Sequence, residues 1–351
     1  MRLVLTENLK EDMKLAKPIY DDGKILLNTD VKNLYKYKRR LLELGINNLY
    51  VEDKYSYDIE IKATIKDTTR RRGKTVIKNT FNKISDRFLN LDVKELKGVI
   101  EEISSELILN DDVLLNLVTL KKTSDYTYEH CLNVGVICIS IGKMLGYSQD
   151  DIFKLGMGGM LHDTGKALIP EEILNKPSSL TEFEYTIMKN HSELGYEFLQ
   201  TLDSISPLSR IMVLSHHERV DGSGYPRGTS GNDIHEFAKI AAIADVFDAL
   251  SSDRVYRDKM PTHKVLEYIM NNTETLFDYQ IVKKILPKIS FYPNGSEVIL
   301  STGERGIIKE QNSGFPTRPI VRIIADADGN EDIRELDLLK YMNIVITDVI
   351  T

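Results

Sequence analysis

The chain is poor in cysteine, has no surplus of positive charge and lacks any hydrophobic run of membrane length. Its only cysteines, Cys131 and Cys138, stand seven positions apart in a stretch that reads as one helix. Two helical turns put them ~10 Å apart, too far for a disulfide, which fits a reducing compartment. The 46 lysines and arginines are outnumbered by 53 aspartates and glutamates, for a formal net charge of -7. That balance argues against a general electrostatic grip on nucleic acid but leaves room for a local anion site. The longest mostly apolar run, residues 131–144, is interrupted by Asn133, Ser140 and Lys143. It falls short of the ~20 residues that span a bilayer. Thr6, Glu7 and Asn8 follow Met1 and Arg2 where a secretory signal would have an apolar core, so the expected location is the cytoplasm. No internal repeat or low-complexity segment is visible.

What is present is the composition of an ordinary globular protein, 42% hydrophobic and 28% charged over 351 residues. At ~150 residues per domain this predicts two to three domains and excludes wholesale disorder. Residues 1–66 read as a small α+β module. In it, 17–27 form a hairpin turning at Asp22-Gly23, 33–44 form a helix closed by Gly45, and 49–52 form a strand. Residues 67–109 read as a linker with a connecting helix, and the run Arg70-Arg71-Arg72-Gly73-Lys74 as its solvated boundary.

Residues 110–290 have helical patterning. Ser148 with Asp151, Thr181 with Glu184, and Ser206 with Pro207 are helix-opening signals. The second helix is expected to carry His191 and the third to end near His217. Residues 237–252 predict a further apolar helix. After Pro293, short β-type runs separated by Gly, Pro and Asn predict a small β domain over 291–351. The expected fold class is mainly α: an all-helical domain flanked by a small α+β module and a small β domain.

Five of the seven histidines, His130, His162, His191, His216 and His217, fall on segments that read as separate helices. Imidazoles ligate transition metals, and carboxylates add oxygen ligands able to bridge two ions. His162-Asp163 closes a helix whose preceding residues, 155–161, are small or apolar. Asp245 sits within Ile240-Ala241-Ala242-Ile243-Ala244-Asp245-Val246-Phe247. Such groups are costly to bury without a strong partner, and a metal is one. Taken singly, each is more often a satisfied core or surface residue; their combination makes the case for a metal site.

This succession of His, His-Asp and Asp resembles the ligand pattern of the HD phosphohydrolases. Residues 216–226 read His-His-Glu-Arg-Val-Asp-Gly-Ser-Gly-Tyr-Pro, similar to the signature of the HD-GYP subfamily. The flanks also match: Asp125-Tyr126-Thr127 before His130, His162-Asp163-Thr164-Gly165-Lys166, and Asp245-Val246-Phe247-Asp248-Ala249-Leu250 leading to Arg254-Val255-Tyr256-Arg257. The likeness covers about residues 110–290, and several ordered motifs are far more specific than one.

The resemblance implies hydrolysis of cyclic di-GMP, a bacterial second messenger, to linear pGpG through a metal-bridging hydroxide. Whether cleavage continues to GMP is left open. It implies two divalent ions, iron or manganese, although the residues alone do not exclude zinc. His130, His162, Asp163 and Asp245 would hold one ion, and Asp163 would bridge to a second held by His191, His216 and His217. Asp163 and Lys166 would be the catalytic pair, with Lys166 meeting a non-bridging phosphate oxygen.

Arg254 and Arg257, three apart on a helix end, would clamp the second phosphate, and Tyr225 would stack on guanine. Asp248 would orient Lys166 or a metal ligand from behind. Some members hold a third ion through a glutamate one turn before the first histidine. Here that position is Tyr126, a poor ligand when neutral, so two ions are expected. Two rivals remain: a catalytically weak cyclic di-GMP sensor, and an HD phosphohydrolase for another nucleotide. A homodimer or a signalling-protein partner is compatible with either.

Overall fold

Short apolar strands and one helix wrap a small core at the N-terminus. The structure, a computed structural model, describes residues 1–21, 24–86, 93–108, 126–252 and 260–350. β1 (Arg2–Leu5), β2 (Lys14–Leu15), the hairpin strands β3 (Ile19–Asp21) and β4 (Lys24–Leu27), α1 (Lys38–Glu43) and β5 (Asn48–Glu52) follow in order. β5 lies between β1 and β2 in an antiparallel sheet, and β3 pairs with β4 separately. Val4, Leu15, Leu34, Leu41, Leu49 and Val51 fill the core. Gly45 ends the helical segment with φ 73°, a left-handed conformation that glycine adopts without steric penalty. The expected hairpin turn, Asp22-Gly23, lies outside the described residues.

The helical domain is α2 (Asp67–Ser85), α3 (Val93–Ile108), α4 (Tyr126–Leu145), α5 (Gln149–Leu161), α6 (Glu171–Leu174), α7 (Glu182–Lys189), α8 (His191–Gln200), α9 (Pro207–Ser215), α10 (Glu236–Ser251), α11 (Thr262–Asn271) and α12 (Tyr279–Ile285). One continuous apolar core joins them, from Ile65 to Phe291. This corrects the linker expected at 67–109. Ile77, Phe81 and Ile84 on α2 and Val99, Ile100 and Ile103 on α3 are buried in that core, so both helices belong to the domain. The Arg70–Lys74 run therefore lies within a helix and not at a boundary, with Arg71 and Arg72 exposed to solvent as expected and Arg70 half-buried.

A second correction concerns His191. Thr181 and Glu184 form the expected capping box, but it opens α7, which stops at Lys189. Asn190 divides the segment and His191 begins α8. The first residue of α8, His191, is buried.

The C-terminal strands β6 (Glu297–Leu300), β7 (Arg305–Glu310), β8 (Ile320–Ala325), β9 (Glu331–Asp337) and β10 (Ile346–Val349) form an antiparallel sheet ordered β10-β6-β7-β8-β9. The two modules that flank the helices in sequence meet in space. Arg2 on β1 is buried between Asp53 and Glu297, at 2.9 and 2.8 Å. Arg322 on β8 reaches Asp58 and Glu335, and the Leu3 amide donates to the Gly295 carbonyl at 3.0 Å. Among the described residues, no helix is long and apolar enough to cross a membrane.

Candidate metal centre

Five helix ends and faces converge on one cluster. His130 lies in the first turns of α4, while Asp245 and Asp248 stand one turn apart on α10. His162 caps the C-terminus of α5, Asp163 follows it, and Lys166 lies on the short 3-10 turn beyond. His191 begins α8; His216 caps α9, with His217 next. Gly165 makes this convergence sterically feasible, because a Cβ there would come within 1.8 Å of the His191 carbonyl oxygen. Only glycine lets the His-Asp turn press directly on the start of α8.

The structure brings the seven sequence-derived ligand candidates together. His130, His162 and Asp245 offer donor atoms within 4.8 Å of one another, as do Asp163, His191, His216 and His217. Asp163 lies between the groups and divides its carboxylate. Its Oδ2 is 3.4 Å from His162 Nε2 and 3.8 Å from His130 Nε2, whereas its Oδ1 is 3.3 Å from His191 Nε2. Asp245 likewise spans the cluster, with Oδ1 3.1 Å from His130 Nε2 and Oδ2 3.8 Å from His217 Nδ1.

The hydrogen bonds show which nitrogens are left over. The Nδ1 atoms of His162, His191 and His216 each bond the carbonyl three residues earlier, on Gly159, Met188 and Val213, at 2.8, 2.8 and 2.9 Å. A neutral imidazole that donates from Nδ1 has a bare lone pair on Nε2. Those lone pairs all aim into the cluster. His191 Nε2 and His216 Nε2 face each other at 3.3 Å, and His162 Nε2 is buried with no hydrogen-bond partner among the described residues. Burying such acceptors against one another is unfavourable unless a cation sits among them. The donor set therefore fits a divalent metal.

Charge in the cluster is arranged accordingly. Burial pushes the imidazoles of His216 and His191 below their ordinary range, and that of His217 to about 3, favouring the neutral, ligating form. His130 is the exception: burial pulls it down, but hydrogen bonds to Asp245 and Asp248 outweigh this and raise it to about 9. Burial alone would raise Asp163, yet Lys166 and His162 hold its carboxyl well below the usual range.

The outer residues are placed less uniformly. Lys166 Nζ is 2.6 Å from Asp163 Oδ2, so the expected phosphate contact is at present a contact with a ligand carboxylate. Tyr225 packs its ring on His217 at 4.6 Å, and the Lys189 ammonium lies 5.3 Å over the same ring. Of the two neighbours expected for Asp248, a candidate ligand or Lys166, it lies against the candidate ligand: its Oδ2 is 2.7 Å from His130 Nδ1. Arg254 and Arg257 lie outside the described residues, as does the side chain of Tyr126.

The sequence reading missed two residues. Glu218 is buried and accepts the backbone amides of Arg227 and Thr229 at 2.8 and 2.9 Å, holding the Gly-Tyr-Pro loop. Asn133 donates to Asp248 Oδ1 at 2.8 Å. Its signal was present as a lone amide in an apolar helix.

Residues 112–281 match the HD domain family, and residues 297–351 match a KOW domain associated with HD domain. The helical domain is an HD domain of the HD-GYP type. It is 32% identical over 237 residues to a protein of Pseudomonas aeruginosa named as a cyclic di-GMP phosphodiesterase, covering 68% of this chain and 57% of that one. A Thermotoga maritima protein of the same name is 33% identical over 215 residues, 58% of each chain. A Vibrio cholerae protein named as a 3'3'-cGAMP-specific phosphodiesterase is 33% identical over 211 residues, 60% of this chain and 45% of that one. The chain thus spans about half the length of the curated relatives it matches. In three dimensions it resembles Bd1817, a HDG"Y"P protein from Bdellovibrio bacteriovorus, with a TM-score of 0.50 and 16% identity over 81% of this chain and 97% of that one. That likeness is one of fold. The HD-GYP domain with its His/Asp cluster points to divalent-metal binding, in line with the donor geometry.

Proposed function

We propose that this protein is a cytoplasmic, two-metal phosphodiesterase that hydrolyses cyclic di-GMP to linear pGpG. The observation that supports it most is the divided carboxylate of Asp163, with one oxygen toward His130 and His162 and the other toward His191. A single carboxylate divided in this way suits two ions, iron or manganese, each of which Asp163 would help to hold. When bound, such a pair supplies Lewis acidity at phosphorus and makes hydroxide available near neutral pH.

The chain's own residues do the rest. His162, His191 and His216 are locked by their backbone bonds, so their lone pairs need no reorganisation on binding. Lys166, 2.6 Å from Asp163, would meet a phosphate oxygen as substrate arrives. Tyr225 borders the cluster with its ring, and Arg254 and Arg257 would take the second phosphate. Asp245 and Asp163 hold negative charge fixed within the site.

A second substrate is favoured by several relatives named for 3'3'-cGAMP, a dinucleotide with the same backbone chemistry. The deciding experiment is anaerobic turnover of cyclic di-GMP and 3'3'-cGAMP by metal-loaded protein. Faster release of pGpG supports the proposal; preference for 3'3'-cGAMP moves the protein to the second reading. Loss of neither substrate removes the phosphodiesterase reading.

A further inference from the structure

Within the apolar run of α4, Asn133 is the polar residue one turn beyond His130, and burial obliges it to find partners. It has them on both sides. Its Nδ2 donates to Asp248 Oδ1 at 2.8 Å, and its Oδ1 accepts from Arg70 Nη1 at 2.8 Å. The same Arg70 nitrogen donates to Glu129 Oε1 at 2.7 Å. Asp248 Oδ2 in turn bonds His130 Nδ1 at 2.7 Å, and His130 Nε2 faces Asp245 in the metal cluster. A hydrogen-bonded chain therefore runs from α2, through α4 and α10, to a candidate metal ligand.

His130 differs from the other oriented histidines. His162, His191 and His216 are held by backbone carbonyls of their own turns, which nothing distant can move. His130 is held by a carboxylate, which makes the imidazole a stronger donor and fixes its ring plane. That carboxylate accepts from the NH2 end of Asn133 at 2.8 Å and, less closely, from the Ser252 hydroxyl at 3.3 Å. An amide can flip and present oxygen instead, which would set oxygen against carboxylate. Arg70 prevents the flip, because a guanidinium only donates and so fixes Oδ1 on its own side.

Arg70 is itself anchored. Its helix is tied to α3 by Thr69 to Glu106 at 2.7 Å and by Arg72 to Glu102 at 2.7 Å. One residue on, the Arg71 guanidinium lies 5.5 Å over the ring of Tyr20 on β3.

We propose that Arg70 and Asn133 are positioning residues for the metal centre: they hold Asp248 on His130 and so set the affinity of the ion on the His130, His162 and Asp245 side. The proposal rests on the metal-centre reading above. It assigns a function to Arg70, one residue of a charge run that composition alone would leave to solvent.

The test is a Mn2+ titration of the metal-free full chain against a competing chelator, comparing wild type with R70M and R70K. Loss of an orienting partner of a metal ligand costs roughly 10- to 100-fold in affinity. R70M should lose that much at one ion and nothing at the other. R70K should restore most of it, since an ammonium can donate to both Glu129 and Asn133. Equal weakening of both ions, or of neither, overturns the proposal. If R70M does not fold without metal, N133A carries the same expectation and is judged by the same two affinities. A wild-type chain that takes up no Mn2+ refutes the metal-centre reading itself, a result distinguishable from failure of the variants alone.

Discussion

Two regions of this molecule bury clusters of charge, and they close in opposite ways. Between the terminal modules, Arg2 has Asp53 on one side and Glu297 on the other, and Arg322 has Asp58 and Glu335. Every charge there has a counter-charge from the chain itself. In the helical domain, imidazole nitrogens with bare lone pairs face one another, and His162 Nε2 has no hydrogen-bond partner among the described residues. A buried polar cluster that satisfies itself is scaffolding. One that is left unsatisfied by design requires something from outside.

The comparison can be broken from either side. The largest effect is expected at Asp163, which serves both halves of the cluster: D163A should abolish turnover and deplete bound metal. The loss should exceed the roughly 100-fold that bounds the removal of an orienting partner. Wild-type metal content and rate in D163A would place the centre elsewhere. Its counterpart is R2M, which leaves Asp53 and Glu297 buried without their cation. That should cost about 3–5 kcal/mol of stability in urea unfolding, with metal content unchanged. A metal loss in R2M would show that the two clusters are not independent.

Acid sharpens the contrast. In metal-free protein, His216 and His217 stay neutral when folded, His217 down to about 3, while the unfolded chain takes up protons below ~6.5. The unfolded state then binds more protons, so stability falls as pH drops below that value. The slope is ~1.4 kcal/mol per pH unit for each histidine. His130 has the opposite sign: raised to about 9, it contributes below the unfolded value and loses that contribution as pH climbs through 9. Urea midpoints of the metal-free protein that stay level between pH 7 and 4 would contradict this. The smallest effect is expected at the phosphate contacts. R254A and R257A should each weaken substrate binding by ~1.5–3 kcal/mol, roughly ten- to a hundredfold, and leave metal content intact. Unchanged affinity in both would return them to the solvent.

The seven candidate ligands were legible in combination, most of them within short ordered motifs. His-Asp at an apolar helix end and a carboxylate within Ile-Ala-Ala-Ile-Ala are anomalies visible without a structure. What hid was whatever depends on a distant partner. Arg70 reads as a solvated charge because Glu129, which holds it, is 59 positions away. Arg2 pairs with Glu297 across 295 positions, so the junction of the terminal modules left no local trace. The break at Asn190 was missed for another reason. No glycine or proline marks it, and Asn190 itself keeps helical dihedrals, so no local signal announces it.

The most direct measurement is anomalous scattering from crystals of anaerobically prepared protein, which counts and locates the ions. Two peaks flanking the Asp163 carboxylate are predicted, one near His130, His162 and Asp245 and one near His191, His216 and His217. A third, fully occupied peak ligated through the Tyr126 region, or metal bound away from Asp163, would contradict it.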